Sequence, residues 1–237
     1  MSGSLGLPVG GDSRGGVVES VREILDGVAR GVFPPADGRT TVLPQPGPRH
    51  AGVLAFTAHS VVVTDEDPAW VYDTLRGLDC DPLSAALHPR FLAALLERTG
   101  RWAETVDAVL VAGPLPGVPA LALTEIRDAG HPRIRYARER RDEVRAWQAD
   151  GGVLVMGRGT AGRLEVSVEV DETARERGLG RRLAGAARRL AEEPLWAQVA
   201  PGNARSLRAF QAAGYDAVGA ELLLRLPGSA EDARVPQ

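Results

Sequence analysis

The sequence predicts an α/β protein, because strand and helix patterns alternate through its second half. The segment Leu164–Val170 has apolar residues at every second position, as in a strand with one buried face. Residues 175–180 contain two glycines and are followed by apolar residues at helical spacing up to Pro194. A second strand pattern at Leu195–Val199 and a helix pattern from Asn203 come next. This alternation is the basis of the predicted fold class.

Upstream patterns complete the organisation of the chain. Residues 144–148 and 153–156 are predicted to form a hairpin around a turn at 150–152. The earlier part is predicted to hold helices at 17–30, 65–78 and 83–98, a strand at 53–63, and strand signals again from Ile134. We divide the chain into a disordered tail at 1–16, an N-terminal α/β region at 17–130, a core at 131–227 and a flexible tail at 228–237.

Composition limits the possible function classes. A chain of 237 residues, 44% of them hydrophobic, is long enough to bury a proper core. Its net charge of −3 gives no overall attraction to nucleic acid or to an anionic membrane, so neither is expected as a partner. All 28 basic residues are arginine, which excludes a lysine Schiff base and a Walker-type phosphate loop. Cys80 is the only cysteine and the start does not resemble a signal peptide, so we expect a cytoplasmic protein.

The 175–180 turn is predicted to bind phosphate. Glycines at the start of a helix let a ligand approach the backbone, where unpaired N–H groups and the positive end of the helix dipole attract anions. Arg175, Arg177 and Arg181 lie in or beside this turn, and arginine pairs well with phosphate oxygens. The alternative for these arginines is a solvated helix face.

Two spaced motifs resemble a known family. The first is Arg175-x-x-Gly178-x-Gly180 after the strand ending in Val170. The second follows the next strand and reads Asn203-x-x-Ser206-x-x-x-Phe210-x-x-x-Gly214-Tyr215. Together they resemble the GNAT superfamily of N-acetyltransferases over about residues 140–226. The resemblance implies a mixed central sheet flanked by helices, here with an N-terminal extension, and implies that residues 17–130 complete the fold and shape the acceptor site.

The resemblance also implies a site for acetyl-coenzyme A as co-substrate, with no metal. The residues expected to contact the coenzyme are Val168 and Val170 through their backbones, Arg175, Arg177, Gly178, Gly180 and Arg181 at the phosphates, and Asn203 and Ser206 along the pantetheine arm. The alternative for Asn203 is a helix cap, and for Ser206 an ordinary polar surface position.

The chain departs from the family at both positions that often carry acid and base. Many members have a tyrosine acid where this chain has Phe210, and some have a glutamate base where it has Gln198. Glu165 and Glu169 are the remaining carboxylates near the expected thioester. We predict that one of them is the base and prefer Glu165, with a water chain or a residue from the N-terminal half as the other route for the proton. The alternative for both is a position on a solvated strand face.

Other chemical signals are weak. Gly157-x-Gly159-x-x-Gly162 matches the dinucleotide-binding fingerprint as a string, but a strand pattern follows it where that fingerprint needs a helix. The four histidines and the single cysteine show no spacing typical of metal ligands.

The sequence therefore predicts an acyltransferase that moves an acetyl group from acetyl-coenzyme A to a primary amine by direct attack in a ternary complex. The acceptor amine belongs to a small molecule, a protein N-terminus or a side chain, and the oligomeric state is left open. The alternative is a catalytically inactive acyl-coenzyme A-binding or sensor protein with the same fold, for which the Phe210 and Gln198 departures are the evidence.

Overall fold

A computed structural model describes residues 20–127 and 130–227 of the chain. The predicted tails at 1–16 and 228–237 lie outside these ranges. The helices are α1 Val21–Ala29, α2 Pro68–Arg76, α3 Pro82–Ala85, α4 Pro89–Thr99, α5 Pro132–Arg140, α6 Leu179–Leu190 and α7 Ala204–Ala212. The strands are β1 Thr40–Leu43, β2 Ala51–Phe56, β3 His59–Val63, β4 Asp107–Ala112, β5 Thr124–Ile126, β6 Asp142–Ala149, β7 Gly152–Arg158, β8 Leu164–Val170, β9 Leu195–Val199 and β10 Asp216–Leu224. Short 3-10 turns lie at Thr160–Gly162 and Glu172–Ala174.

The described strands form one ten-stranded mixed sheet in the order β1-β3-β2-β10-β4-β9-β8-β7-β6-β5. The β1–β3 and β8–β9 pairs are parallel and the other pairs are antiparallel. β4, from the first half of the chain, lies between β9 and β10. The mixed sheet with flanking helices confirms the predicted fold class, and it joins strands of both halves.

Helices cover both faces of the sheet. One face packs against α6 and α7, where Leu110 and Ala197 of the sheet lie in the same cluster as Leu183 of α6. Farther along, the same face packs against α2 and α4. We call it the α6 face. The other face packs against α1 through Val109 and Trp196, and against α5, and we call it the α5 face. Alternation along each strand decides which residues reach which face.

The β8–β9 pair is the irregular part of the sheet. The two strands pair only at Leu164 with Leu195 and at Glu165 with Trp196, although they contain seven and five residues. Beyond that point, β8 continues to pair with β7 but no longer with β9. We call the gap between residues 166–170 and 197–199 the β8–β9 opening.

Three predicted elements differ from the structure. The predicted strand at 53–63 is the hairpin β2–β3, whose turn contains Ala58 with a φ of 52° and lacks the glycine or asparagine that signals such turns. The predicted helix at 83–98 is divided into α3 and α4, because His88 caps a new helix at Pro89. The strand predicted from Ile134 is wrong, because the helix α5 forms there. Ile134 and Ala137 are the buried residues of this helix, and the many charged residues around them give no clear helical pattern.

Candidate functional site

The 175–180 turn lies at the start of α6 and presents open backbone groups. Glu176 and Gly178 have φ values of 65° and 72°, and Gly178 is the N-cap of α6 with no side-chain hydrogen bond to the first turn. Successive residues in such conformations turn N–H groups toward one point, which favours an anion. A Cβ added at Gly178 would meet nothing within 4 Å, so the space in front of the turn is open.

Neighbouring elements hold the turn in place. The N–H of Asp171 donates to the carbonyl oxygen of Gly151 at 2.9 Å. A Cβ at Gly151 would lie 2.5 Å from that of Ala174, so the β6–β7 turn packs directly on this segment. At Gly180 a Cβ would lie 3.5 Å from Ala209 and 3.7 Å from Val170, which brings the start of α6 against both α7 and β8.

Three predicted phosphate ligands are unpaired. The side chains of Arg175, Arg177 and Arg181 are exposed and make no ion pair with the part of the chain that the structure describes. Arg188, farther along α6, instead donates to the carbonyl oxygens of Gly113 at 2.9 Å and Ala213 at 2.7 Å. The arginines beside the turn are therefore available to an anion, whereas Arg188 is used within the fold.

The backbone of β8 presents an unpaired edge to the opening. Because the N–H of Asp171 bonds Gly151, the odd-numbered residues of β8 are those that bond β7. The N–H and C=O groups of Val168 and Val170 therefore point the other way, toward the opening, where β9 no longer pairs with them. An extended ligand could bond this edge as a strand does.

The start of α7 lies beside the turn. The side-chain oxygen of Asn203 accepts a hydrogen bond from the N–H of Ser206 at 3.1 Å, so Asn203 caps α7. Arg205 pairs with Glu176 at 2.9 Å and links this helix to the 175–180 turn. The cap uses only the oxygen of Asn203, and its exposed amide nitrogen stays free to donate.

Phe210 lies in the core. It is 3% exposed and packs edge-on against Tyr215 with ring centroids 5.0 Å apart. The hydroxyl of Tyr215 donates to the carbonyl oxygen of Ala184 at 3.3 Å, and burial raises the Tyr215 pKa well above its usual range. Tyr215 therefore does not replace the acid that Phe210 lacks.

Side chains of α5 and of the residue after it reach over the α5 face of β8. The helix itself packs against β6 and β7. Its Arg133 pairs with Glu169 of β8 at 2.9 Å, and Arg141, just after the helix, donates to Ser167 at 3.3 Å. At its other side, Tyr136 donates to Glu104 at 3.5 Å, in the segment that leads into β4. These side chains therefore border the opening on its α5 face.

Glu165, the preferred base, is not on a solvated face. It is 4% exposed, and its carboxylate accepts hydrogen bonds from the Nε atoms of Arg163 and Arg141, both at 2.9 Å. Burial alone would raise its pKa, but the two arginines outweigh burial and lower the Glu165 pKa to about 2. The alternative of a solvated strand position therefore does not hold for Glu165, and a carboxylate held this way is a weak base.

The glycine string that mimics a dinucleotide motif explains how Glu165 is buried. β8 follows these glycines, as predicted, so they do not start a helix. A Cβ at Gly159 would overlap the carboxylate of Glu165, and the N–H of Thr160 donates to that carboxylate at 3.3 Å. Gly159 thus leaves room for a buried charge.

Sequence reasoning missed the partners of Glu165. Arg163, 2% exposed, also donates to Glu221 of β10 at 2.6 Å, and its guanidinium lies 5.2 Å from the Trp196 ring centroid. We call Arg141, Arg163, Glu165 and Glu221 the buried ion-pair network. Because 58 residues separate Arg163 from Glu221, no local pattern connects them.

In residues 20–127 and 130–227, no group of three or more His, Cys, Asp or Glu residues could hold a metal ion. None of the helices there has the length and apolar character needed to cross a membrane.

Residues 124–215 match the model of the Acetyltransferase (GNAT) family, and this match confirms the predicted resemblance over that segment. Members of this family transfer acyl groups from acyl-coenzyme A. The match begins at β5, ahead of the boundary that we predicted at 130/131, and that boundary stays a prediction. No curated protein sequence matches the chain.

Several solved structures are similar. A GCN5-related N-acetyltransferase from Kribbella flavida is 20% identical with a TM-score of 0.39, over 58% of this chain and 64% of that one. A putative GNAT-family acetyltransferase from Novosphingobium aromaticivorans is 20% identical with a TM-score of 0.38, over 53% of this chain and 66% of that one. A tandem GNAT protein from the clavulanic acid biosynthesis pathway is 14% identical with a TM-score of 0.36, over 57% of each chain. The chain covers less than two thirds of each of these structures.

Proposed function

We propose that this protein transfers an acetyl group from acetyl-coenzyme A to a primary amine. The observation that carries the proposal is the β8–β9 opening, where the backbone edge at Val168 and Val170 leads directly to the open 175–180 turn. An unpaired strand edge next to an anion-binding helix start suits a ligand with a peptide-like arm and a phosphate end.

The coenzyme would bind through groups that the fold leaves free. Its pyrophosphate would accept hydrogen bonds from the N–H groups of the turn and from Arg175, Arg177 and Arg181, which have no other partners in the described chain. Its pantetheine arm would pair with the edge of β8, with Asn203 and Ser206 on the α7 side. Gly178 and Gly180 would allow the close approach.

The reaction would take place in the opening. The amine would approach from the α5 face and attack the thioester carbonyl carbon, while a β8 backbone N–H at Val168 or Val170 polarises the carbonyl oxygen. The amine loses a proton, the C–S bond breaks, and the thiolate leaves. Phe210 is buried at the position of the family's acid, so the thiolate would leave without a proton from a side chain. A thiol with a pKa of about 8.5 is acidic enough to leave as the thiolate.

The second candidate is an acyl-coenzyme A-binding or sensor protein without catalysis. The observation that favours it is the burial of Phe210 against Tyr215, which leaves no acid at the family position. Both candidates require coenzyme binding, and only the transferase requires turnover with an amine.

Calorimetry with acetyl-coenzyme A and a thiol-release assay test the two together. We expect micromolar binding and an amine-dependent release of coenzyme A with at least one member of a panel of ethylamine, spermidine, kanamycin and an alanyl peptide. Tight binding without amine-dependent release would support the sensor. No binding of coenzyme A or acetyl-coenzyme A would defeat both.

A further inference from the structure

We propose that Asp107 accepts the proton that the acceptor amine loses during transfer. This inference rests on the proposed function and places the base on β4 instead of at Glu165 or Glu169. Asp107 is the first residue of β4. It precedes Ala108, which pairs with Val199 of β9, a residue 92 positions after Asp107 in the chain.

The strand register places Asp107 on the α5 face, close to the opening. On β4, Val109 pairs with Gln198 of β9, so Asp107 shares a face with Gln198 at the diagonal position. Diagonal neighbours of this kind have Cα atoms about 7–8 Å apart, within reach of one small substrate. That face is the α5 face, since Val109 packs with Trp196 in the same core cluster. Asp107 therefore lies one strand away from the opening, on the α5 face.

Asp107 differs from the other carboxylates on the α5 face near the opening, because it has no partner in the part of the chain that the structure describes. Glu165 is held by two arginines and Glu169 by Arg133 at 2.9 Å. Glu104 accepts from Tyr136. By contrast, Asp107 makes no hydrogen bond or ion pair with the described residues, so its oxygens are free to accept a proton.

The surroundings of Asp107 favour a proton acceptor that works near neutral pH. Its cross-strand partner on β10 is Glu221, which is 1% exposed and has a second carboxylate oxygen, Oε2, without a partner among the described residues. Burial, then the charges of Glu221 and Glu104, raise the Asp107 pKa to about 6, and Arg225 opposes the rise. Arg163 donates to the other carboxylate oxygen of Glu221, Oε1. The α5 face beside the opening thus carries a carboxylate that is basic enough to take a proton and still ionised at neutral pH.

The proton and electron balance is simple. The amine nitrogen forms the new C–N bond as the C–S bond breaks, and the electron pair leaves on the coenzyme A sulfur. The proton goes from nitrogen to Asp107, directly or through one water, and then to solvent. No other reactant is needed.

The test is Asp107→Asn in the full-length protein, with acetyl-coenzyme A and the same four amines. We expect thiol release at pH 7.5 to fall about 10²-fold, while the Kd for acetyl-coenzyme A stays within about twofold. In the wild type, kcat/KM should rise through a step near pH 6, and this step should be absent from the Asn variant. Asp107→Glu keeps a carboxylate and should retain more than about a tenth of the activity.

A matched control is Asp216→Asn, which removes the same charge from an exposed position on β10 and should change neither rate nor pH profile. Full activity and an intact pH step in Asp107→Asn would overturn this inference alone. Equal losses of activity and acetyl-coenzyme A binding would overturn it too, because they indicate damage to the sheet. If the wild type binds acetyl-coenzyme A but releases no thiol with any amine, both this inference and the transferase proposal fail.

Discussion

The two sides of the β8–β9 opening are built differently. The 175–180 turn and its neighbours come from one continuous stretch, from β8 to α7, and they present backbone N–H groups and unpaired arginines. The α5 side combines Glu104 and Asp107, the helix α5, the buried ion-pair network and Gln198, which are scattered from residue 104 to residue 221. Its charged side chains are largely paired with one another.

This difference has physical consequences. A site made of backbone groups depends on local conformation, and glycines at positive φ provide it without long-range contacts. A site made of buried charges depends on every partner, since the low-dielectric interior makes an unpaired charge costly. We therefore expect changes on the turn side to affect mainly ligand binding and changes in the buried ion-pair network to affect mainly folding.

The largest expected effect is on the α5 side. Arg163→Ala would leave Glu165 and Glu221 buried without their shared partner, so the free energy of unfolding should fall by about 3–5 kcal/mol. The surface pair Arg76 with Asp73 provides the control, and Arg76→Ala should cost less than about 1 kcal/mol. Urea unfolding measures both. Similar losses for the two variants would contradict the contrast between the sides.

The pH dependence of stability tests Glu165 separately. Its folded pKa is lowered to about 2 from 4.5, so its contribution is fully present above about pH 4.5 and is lost as pH falls toward 2. Between these values, the wild type should lose on the order of 2–3 kcal/mol more than Glu165→Gln. The exposed Glu97→Gln should follow the wild type. Thermal unfolding from pH 2 to 7 gives the curves, and parallel curves for wild type and Glu165→Gln would count against the ion pairs.

On the turn side, Gly178→Val should affect binding more than stability. The φ of 72° strains any β-branched residue, and its side chain would enter the open space in front of the α6 amides. We expect the Kd for acetyl-coenzyme A to rise at least about tenfold, with destabilisation of about 1–2 kcal/mol. Gly185→Ala, at an open helical position of α6, should bind normally. Calorimetry measures the Kd, and an unchanged Kd in Gly178→Val would show that the turn is not part of the binding site.

The smallest effect concerns the arginines of the turn. Arg175→Ala and Arg177→Ala should each weaken coenzyme A binding about 3- to 10-fold, because each removes one screened contact with a phosphate. The losses should shrink as salt is raised from about 0.05 to 0.5 M. Arg189→Ala, exposed near the end of α6, serves as the control. Equal losses of coenzyme A affinity in all three variants would indicate that the overall positive charge of the helix attracts the coenzyme, without specific contacts from the arginines of the turn.

The sequence itself allowed the turn side to be predicted well. The alternation in β8, the glycines at 178 and 180 and the helical spacing of α6 are local signals, and the structure places them as one unit. The same rules failed where charge hides a pattern, as in α5, or where a turn lacks its usual residues, as at Ala58. Alternation placed Glu165 on the correct face but with the wrong exposure, because distant segments cover that face.

The sequence by itself therefore determined the fold class, the family resemblance and the conformation of the glycine turn before α6, because each depends on residues within one or two turns of chain. Only the tertiary structure decided that Glu165 is buried between Arg163 and Arg141, and that Asp107 lies beside Glu221 with no partner in residues 20–127 and 130–227. The physical reason is that a carboxylate's exposure and pKa are set by whatever packs around it, and these neighbours come from strands that the fold, and not the chain order, brings together.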